Sequence, residues 1–339
     1  MMVLSRGAAE VPPMPSHLQL EVTSACNLRC RMCLVRYRPP VNKIEGAMSP
    51  ELFRRILDAV PGLRRLTLQG LGEPLLHPHL IQMLTEAKRR GIETGFNTNA
   101  TLLTARRSAE LVGLGVDWVH VSLDGATAGT YEAIREGGRF DAVAANLRGL
   151  WQAKRAAGAR LPWTRVVFVA MRRNLGELPG VVRLLAGWGV DELRVQNLAH
   201  TFEDADGGYA EIRAFTEAES LWNGEDRSRA AEVFAETETV AAEHGVRVRL
   251  PGLDERPARR RPGEPGCSWP WEAAYVTSEG VVQPCCMVMG DDRITLGDLR
   301  SQSLEEIWAG GPYREFRRRL MGDDPPEVCR GCALYRGTF

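Results

Sequence analysis

From residue 18 to about residue 200 the chain switches repeatedly between two hydrophobic periods. Strand-like runs recur at 18–23, 65–69, 92–97, 117–123, 164–171 and 191–197. The run at 65–69, Arg-Leu-Thr-Leu-Gln, alternates apolar and polar positions, the two-residue period of a strand. Val166 to Ala170 is apolar throughout, as in a strand buried on both faces. Between these runs the period becomes helical. Ser49 stands as an N-cap with Pro50 at the first helical position, and Leu52, Phe53, Ile56, Leu57 and Val60 fall on one face. A second helix is predicted from Pro78 to a terminating glycine at Gly91. A third runs from Phe140 to about residue 157 and places Val143, Leu147, Leu150 and Trp151 in the core. Six such units predict an α/β fold whose parallel sheet curls into part of a barrel, a partial (β/α)6 TIM-like barrel.

The pattern weakens after residue 200. Residues 203–208 are acidic and glycine-containing and read as a loop. A helix is predicted from about 227 to 244 and a short strand over 246–250. A Pro/Arg-rich stretch follows, and its run Arg259-Arg260-Arg261 reads as a solvated linker rather than a phosphate site.

Composition narrows the classes. A chain of 339 residues accommodates one large domain and a smaller one, and 44% hydrophobic with 25% charged residues is ordinary for a soluble globular protein. Lys plus Arg and Asp plus Glu are 43 each, which argues against general binding to nucleic acid or to a membrane surface. No apolar stretch approaches the ~18–20 residues of a membrane span. Residues 1–15 contain prolines at 12, 13 and 15 and no apolar signal core, so they read as a disordered lead-in to a cytoplasmic protein. The eight cysteines are then reduced, and favour metal or redox chemistry over disulfides.

Three of those cysteines stand close together as Cys26-x3-Cys30-x2-Cys33. A closed zinc site asks for four N/S ligands, and iron–sulfur clusters are usually held by four cysteines. Three thiolates fit a [4Fe–4S] cluster with one iron left open to a small molecule. The triplet follows the apolar run Leu18 to Val22, and in this form it resembles the radical S-adenosylmethionine (SAM) superfamily. The resemblance implies that the open iron chelates the amino and carboxylate groups of SAM. One electron then cleaves SAM to a 5′-deoxyadenosyl radical, which abstracts hydrogen from the substrate. Met32 occupies the position where the family usually has an aromatic residue, and is placed to pack on adenine.

Further motifs follow in the family's order. Residues 65–76 run from a strand into a Gly70-Leu-Gly72-Glu73-Pro turn, which resembles the family's Gly-Gly-Glu motif. Glycines admit backbone close to a ligand, and a carboxylate there accepts from an ammonium group. Gly72 and Glu73 are therefore candidates for binding the SAM amino group. A dinucleotide fingerprint fails because Leu75 stands where its third glycine belongs. Thr98-Asn99-Ala100 is similar to the family's Thr-Asn-Gly at the third strand end. By the same resemblance, Ser122 and Asp124 lie near the SAM ribose and methionyl end, and Arg135 pairs with the SAM carboxylate. Turn chemistry alone also accounts for Asp124-Gly125. His77 and His79, at metal-like spacing, are read as structural. All the candidates follow strand ends, the face where barrel enzymes place their chemistry.

A second cysteine set, Cys267, Cys285, Cys286, Cys329 and Cys332, occupies the end of the chain. With Leu296-Gly-Asp-Leu and Ser303-Leu-Glu-Glu-Ile-Trp308 between them, it resembles SPASM domains, which carry auxiliary [4Fe–4S] clusters. No cysteine follows Cys332, which implies the shortened twitch form with one cluster on Cys267, Cys285, Cys329 and Cys332. Zinc on the same four residues is the alternative. Cys286 is spare: a packed thiol, an alternative ligand or a hydrogen-atom donor. The expected organisation is a lead-in over 1–15, the barrel over 16–250 and a small auxiliary-cluster domain over 251–339.

The expected activity is a two-electron oxidation of a small polar substrate, sugar- or aminocyclitol-like, with a flavodoxin or ferredoxin as reductant. Gln196, Asn197 and His200, just past the sixth strand, are the substrate candidates. The rivals are a radical epimerase or lyase with thiol hydrogen return, peptide modification such as thioether formation, and a non-catalytic iron–sulfur or zinc protein. The absence of a peptide-binding module before the first strand weighs against the peptide reading.

Overall fold

Among the described residues, the alternating runs and three carboxyl-terminal strands form one continuous sheet of ten strands. The computed structural model describes residues 11–37, 46–205, 207–221, 224–254, 265–288 and 292–339. Its strands are β1 His17–Leu20, β2 Arg65–Leu68, β3 Glu93–Thr98, β4 Trp118–Ser122, β5 Trp163–Val169, β6 Glu192–Gln196, β7 Arg247–Arg249, β8 Ala273–Val276, β9 Val281–Gln283 and β10 Gly297–Asp298. Strands β1 to β7 lie in chain order, each parallel to the next. This is the α/β partial barrel, with one short strand beyond the six units. The carboxyl-terminal strands extend its other edge: β8 pairs parallel with β1, and β9 and β10 follow antiparallel.

Strand alternation separates two faces. Leu18, Leu20, Leu66, Leu68, Phe96, Val119, Val121, Val166, Phe168, Leu193 and Val195 are buried in one apolar core beneath the outer helices. The helix Pro50–Asp58 begins as expected, with the Ser49 hydroxyl accepting from the Leu52 N–H at 3.1 Å. The helix Leu80–Arg89 starts two residues after Pro78, and Gly91 follows it at φ +74°. The helix Phe140–Ala156 buries Val143, Leu147 and Leu150, but Trp151 is only half-buried. Its ring lies across Gly189, where a Cβ would stand 2.0 Å from Cδ1, and the Arg155 guanidinium covers it at 4.9 Å. The helix Gly224–His244 then leads into β7. Among the described residues no helix is long and apolar enough to cross a membrane.

The chain's two ends are tied together. Arg317 is fully buried between the rings of Trp308 and Tyr313, at 4.2 and 4.3 Å, and donates to the carbonyls of Pro270 and Trp308. The Trp308 indole donates to the carbonyls of Pro12 and Pro13 at 3.1 and 3.0 Å. Residues 11–15 are therefore held against the carboxyl-terminal part rather than trailing as a lead-in. Residues 1–10 and the Arg259-Arg260-Arg261 run lie outside the described residues.

Candidate functional site

The loop after β1 carries Cys26, Cys30 and Cys33, and the ends of β2, β3 and β4 close around it. The β2 turn presses directly on this loop: a Cβ on Gly72 would stand 2.1 Å from the Thr23 carbonyl oxygen and 2.5 Å from that of Ala25. The Glu73 N–H donates to the Ala25 carbonyl at 2.8 Å. Only glycine permits this approach, because any side chain would displace backbone.

Glu73 is 2% exposed, and its own chain engages both of its oxygens. Oε1 accepts from the Leu75 N–H at 3.0 Å and the Thr98 hydroxyl at 2.7 Å, and Oε2 accepts from the Asn99 N–H at 2.7 Å. A carboxylate has about four acceptor sites, so room for one further donor remains. Asn99 reaches the cysteine loop, with Nδ2 3.0 Å from Asn27 Oδ1 and 4.0 Å from Cys26 Sγ. Ala100 follows at φ +59°, the left-handed region that glycine prefers.

Arg135 caps the helix Ala128–Ile134 and points back into the site. Its Nη2 lies 2.6 Å from Asp124 Oδ2 and its Nη1 3.7 Å from Cys30 Sγ. Asp124 is fully buried and also accepts from the Val169 N–H at 2.7 Å. Burial opposes the Arg135 charge, but Asp124 and Cys30 hold it above its ordinary range. Asp124 thus reaches the cysteine loop through Arg135. Half-buried Ser122, at the end of β4, makes no side-chain hydrogen bond among the described residues. Met32 packs beside Ile134, Met171 and Leu198, an apolar patch next to the third cysteine.

Burial pushes all three thiols up, Cys33 to about 12. Three thiolates crowded there need a cationic partner, and an iron–sulfur cluster supplies one. Among the described residues no group of three His, Cys, Asp or Glu is spaced to hold a single metal ion. A cube carries its thiolates on separate irons and requires no such convergence.

Cys267, Cys285, Cys286, Cys329 and Cys332 gather as a second group, with none of them in a disulfide. Burial first, then Cys286, Cys332, Cys329 and Cys267, raise the Cys285 thiol well above its usual value. Cys286 also lies close to the side chain of Gln19 on β1, so it borders the barrel interior. The substrate candidates separate. Asn197 donates to the carbonyls of Gly252 and Thr338 at 3.1 and 2.6 Å, which ties down two loops. His200 accepts from the Phe202 N–H on Nδ1 at 2.8 Å, which leaves Nε2–H to donate to the Val328 carbonyl at 2.7 Å. Burial, then Arg293, bring its pKa down to about 4, so it serves as a neutral strut. Only Gln196 stays half-buried at the inner end of β6. His77 is structural too, with Nε2 3.0 Å from the Met48 carbonyl and Nδ1 accepting from the His79 N–H.

Sequence reasoning missed the barrel interior. Many of its inward positions are polar: Gln19 and Thr67 on β1 and β2, Asn97 on β3, His120 on β4, Arg165 on β5, and Arg194 on β6. The signal was a polar residue in the inward phase of each of these strands.

A barrel with three cysteines at one mouth and a further cysteine group beside it defines a cluster-bearing enzyme of the partial-barrel class. Residues 20–154 match the radical SAM superfamily and residues 267–333 match the SPASM iron–sulfur cluster-binding domain. The chain belongs to the radical SAM superfamily, and its cofactors are SAM and [4Fe–4S] clusters, one that binds SAM and one auxiliary. It is 29% identical over 341 residues to the tungsten-containing aldehyde ferredoxin oxidoreductase cofactor-modifying protein of Pyrococcus furiosus, covering 94% of this chain and 87% of that protein. It is also 29% identical over 185 residues to mycofactocin maturase MftC of Mycobacterium tuberculosis, covering 54% of this chain and 45% of the maturase. Streptococcus suis SuiB bound to its precursor peptide SuiA shares the fold with a TM-score of 0.72 at 15% identity, over 98% of this chain and 72% of SuiB.

Proposed function

We propose that this radical SAM enzyme takes a hydrogen atom from a small polar molecule seated in the barrel interior, and that the net reaction is a two-electron oxidation of a sugar- or cyclitol-like compound. The observation that carries this reading is the polar interior: side chains that elsewhere would be apolar core are Gln, Asn, His and Arg facing a shared space. The relative aligned over most of both chains supports it, since its name describes modification of a cofactor.

Cys26, Cys30 and Cys33 hold the first cluster. With SAM bound, this cluster would supply the one-electron chemistry that makes SAM a hydrogen-abstracting reagent. Glu73 offers its remaining acceptor site to the SAM ammonium while fixing the turns that carry Gly72 and Asn99. Arg135, oriented by Asp124, faces the SAM carboxylate. Met32 lies against the adenine and Ser122 beside the ribose. Cys267, Cys285, Cys329 and Cys332 would hold the auxiliary cluster, which would accept the second electron of the oxidation as the substrate radical loses a proton to solvent, and Gln196 would touch substrate. We assign the barrel to residues 16–250 and the auxiliary part to 251–339. Low-potential chemistry of this kind places the protein in the cytoplasm with a flavodoxin or ferredoxin as reductant.

The contact between Cys286 and Gln19 favours a second reading, in which the Cys286 thiol returns hydrogen to the substrate radical in a redox-neutral reaction. Peptide modification is a further possibility raised by the maturase relative. One experiment separates oxidation from thiol return: reduced enzyme, SAM and candidate small molecules in D2O, followed by mass spectrometry. Oxidation predicts one 5′-deoxyadenosine per product, no solvent deuterium at the reacting carbon, and retained activity in Cys286→Ala. Solvent deuterium in the wild-type product, lost in Cys286→Ala, would refute oxidation in favour of thiol return.

A further inference from the structure

Strand register places Asn97, His120, Arg165, Glu192 and Arg247 side by side from β3 to β7. The next row toward the carboxyl ends is Ser122, Val167, Arg194 and Arg249. Neighbours in register share a face, and the residues between them are buried under the helices, so these rows face the interior. Their charges do not balance. Glu192, fully buried, serves two guanidiniums, with Arg165 Nε at 2.7 Å and Arg249 Nε at 3.3 Å. Arg194, in register between Val167 and Arg249, pairs with no carboxylate among the described residues; the ring of Phe339 stands 5.8 Å from its guanidinium. Arg194 is half-buried, so water compensates its charge only in part.

Neutral donors surround the same space. Trp118 is 4% exposed, its ring lies tilted 4.4 Å from that of His120, and its indole N–H has no hydrogen-bond partner among the described residues. Burial, then Arg165, Arg65 and Arg194, bring the His120 pKa down to about 3, so it adds no positive charge. Burial and Arg249 likewise depress Arg194 despite Glu192, which marks a site short of negative charge.

We propose that the barrel interior is an oxyanion-binding subsite: the substrate carries a phosphate or carboxylate that seats among Arg165, Arg194 and Arg249, and presents its uncharged carbons toward the Ser122 end and the cysteine loop. This rests on the reading that substrate occupies the interior, and it adds the charge class. Guanidinium forks match both oxyanions in bidentate geometry, and the site works in a partly dry space where each contact counts for more.

The test is calorimetric titration of the reconstituted holoenzyme at low salt with inorganic phosphate and, separately, succinate. At least one should bind with a Kd of about 1 mM or tighter. Arg194→Gln should weaken it tenfold or more, and Arg194→Lys should weaken it less. Arg194→Gln breaks no ion pair; iron content and thermal midpoint check its fold. If it does not fold, Arg249→Gln at the exposed edge replaces it and should weaken binding at least threefold. No binding of either anion, or unchanged affinity in the folded variants, overturns the proposal. Wild-type enzyme that forms 5′-deoxyadenosine but ignores both anions overturns this inference alone. Anion binding sensitive to Arg194, in a protein that cleaves no SAM, supports the subsite and removes the catalytic reading instead.

Discussion

Replacing Asp124 with Asn removes one charge and little else, and the structure sets what that costs. Asn keeps an oxygen for the Val169 N–H, so that hydrogen bond survives. The guanidinium of Arg135, 9% exposed, loses the carboxylate 2.6 Å away and stays buried as an uncompensated cation. Breaking a buried pair in this way costs about 3–5 kcal/mol. For a chain of this size that is on the order of 4–7 °C in thermal midpoint. The loss should depend on the first cluster. Arg135 Nη1 is 3.7 Å from Cys30 Sγ, and an anionic thiolate–iron cube there partly replaces the missing carboxylate. We therefore expect Asp124→Asn to lower the midpoint of iron-free protein by the full amount and that of anaerobically reconstituted protein by less than half as much. Circular dichroism melts of both forms give the two values. An equal drop in both, or a drop of less than about 1 kcal/mol in the iron-free form, would refute the idea that Arg135 is shared between Asp124 and the cluster.

The other sites yield simpler expectations. Glu73→Ala strips partners from the buried Thr98 hydroxyl and the N–H groups of Leu75 and Asn99, at about 1–3 kcal/mol each, so it should lower both stability and SAM affinity by equilibrium binding; unchanged SAM affinity removes Glu73 from the SAM site. Ala100→Gly relieves a left-handed residue and should raise stability by about 1 kcal/mol in a denaturant melt; an unchanged or lowered midpoint would show that Ala100 is unstrained. Changing Cys26, Cys30 and Cys33 together to Ala should halve the iron bound after reconstitution, from about eight to about four per chain, with the remainder on the carboxyl-terminal cysteines.

Most of the barrel was legible because its strands and helices are short, strongly periodic and punctuated by Ser49, Pro50 and Gly91. The site's order was legible because each motif follows a strand end. Three features escaped. Trp151 lies on the buried side by period alone, but the close approach of Gly189 turns it to the edge. Asn197 and His200 follow a strand as substrate residues would, yet their partners are carbonyls of Gly252, Thr338 and Val328, distant in the chain. The arginine rows needed register, since nothing along the sequence aligns Arg165, Arg194 and Arg249. Their polar alternation was visible, and a parallel barrel that encloses a ligand explains why strands buried on both faces keep polar residues on one of them.

The central claim is that the cysteine loop, Glu73 and Arg135 together form a working SAM-cleaving site. Anaerobically reconstituted protein, reduced with dithionite in the presence of SAM, tests it by chromatography with mass detection. The prediction is 5′-deoxyadenosine well above the level given by the Cys30→Ala variant. Intact SAM, in protein whose reduced four-iron cluster is visible by electron paramagnetic resonance, would contradict it.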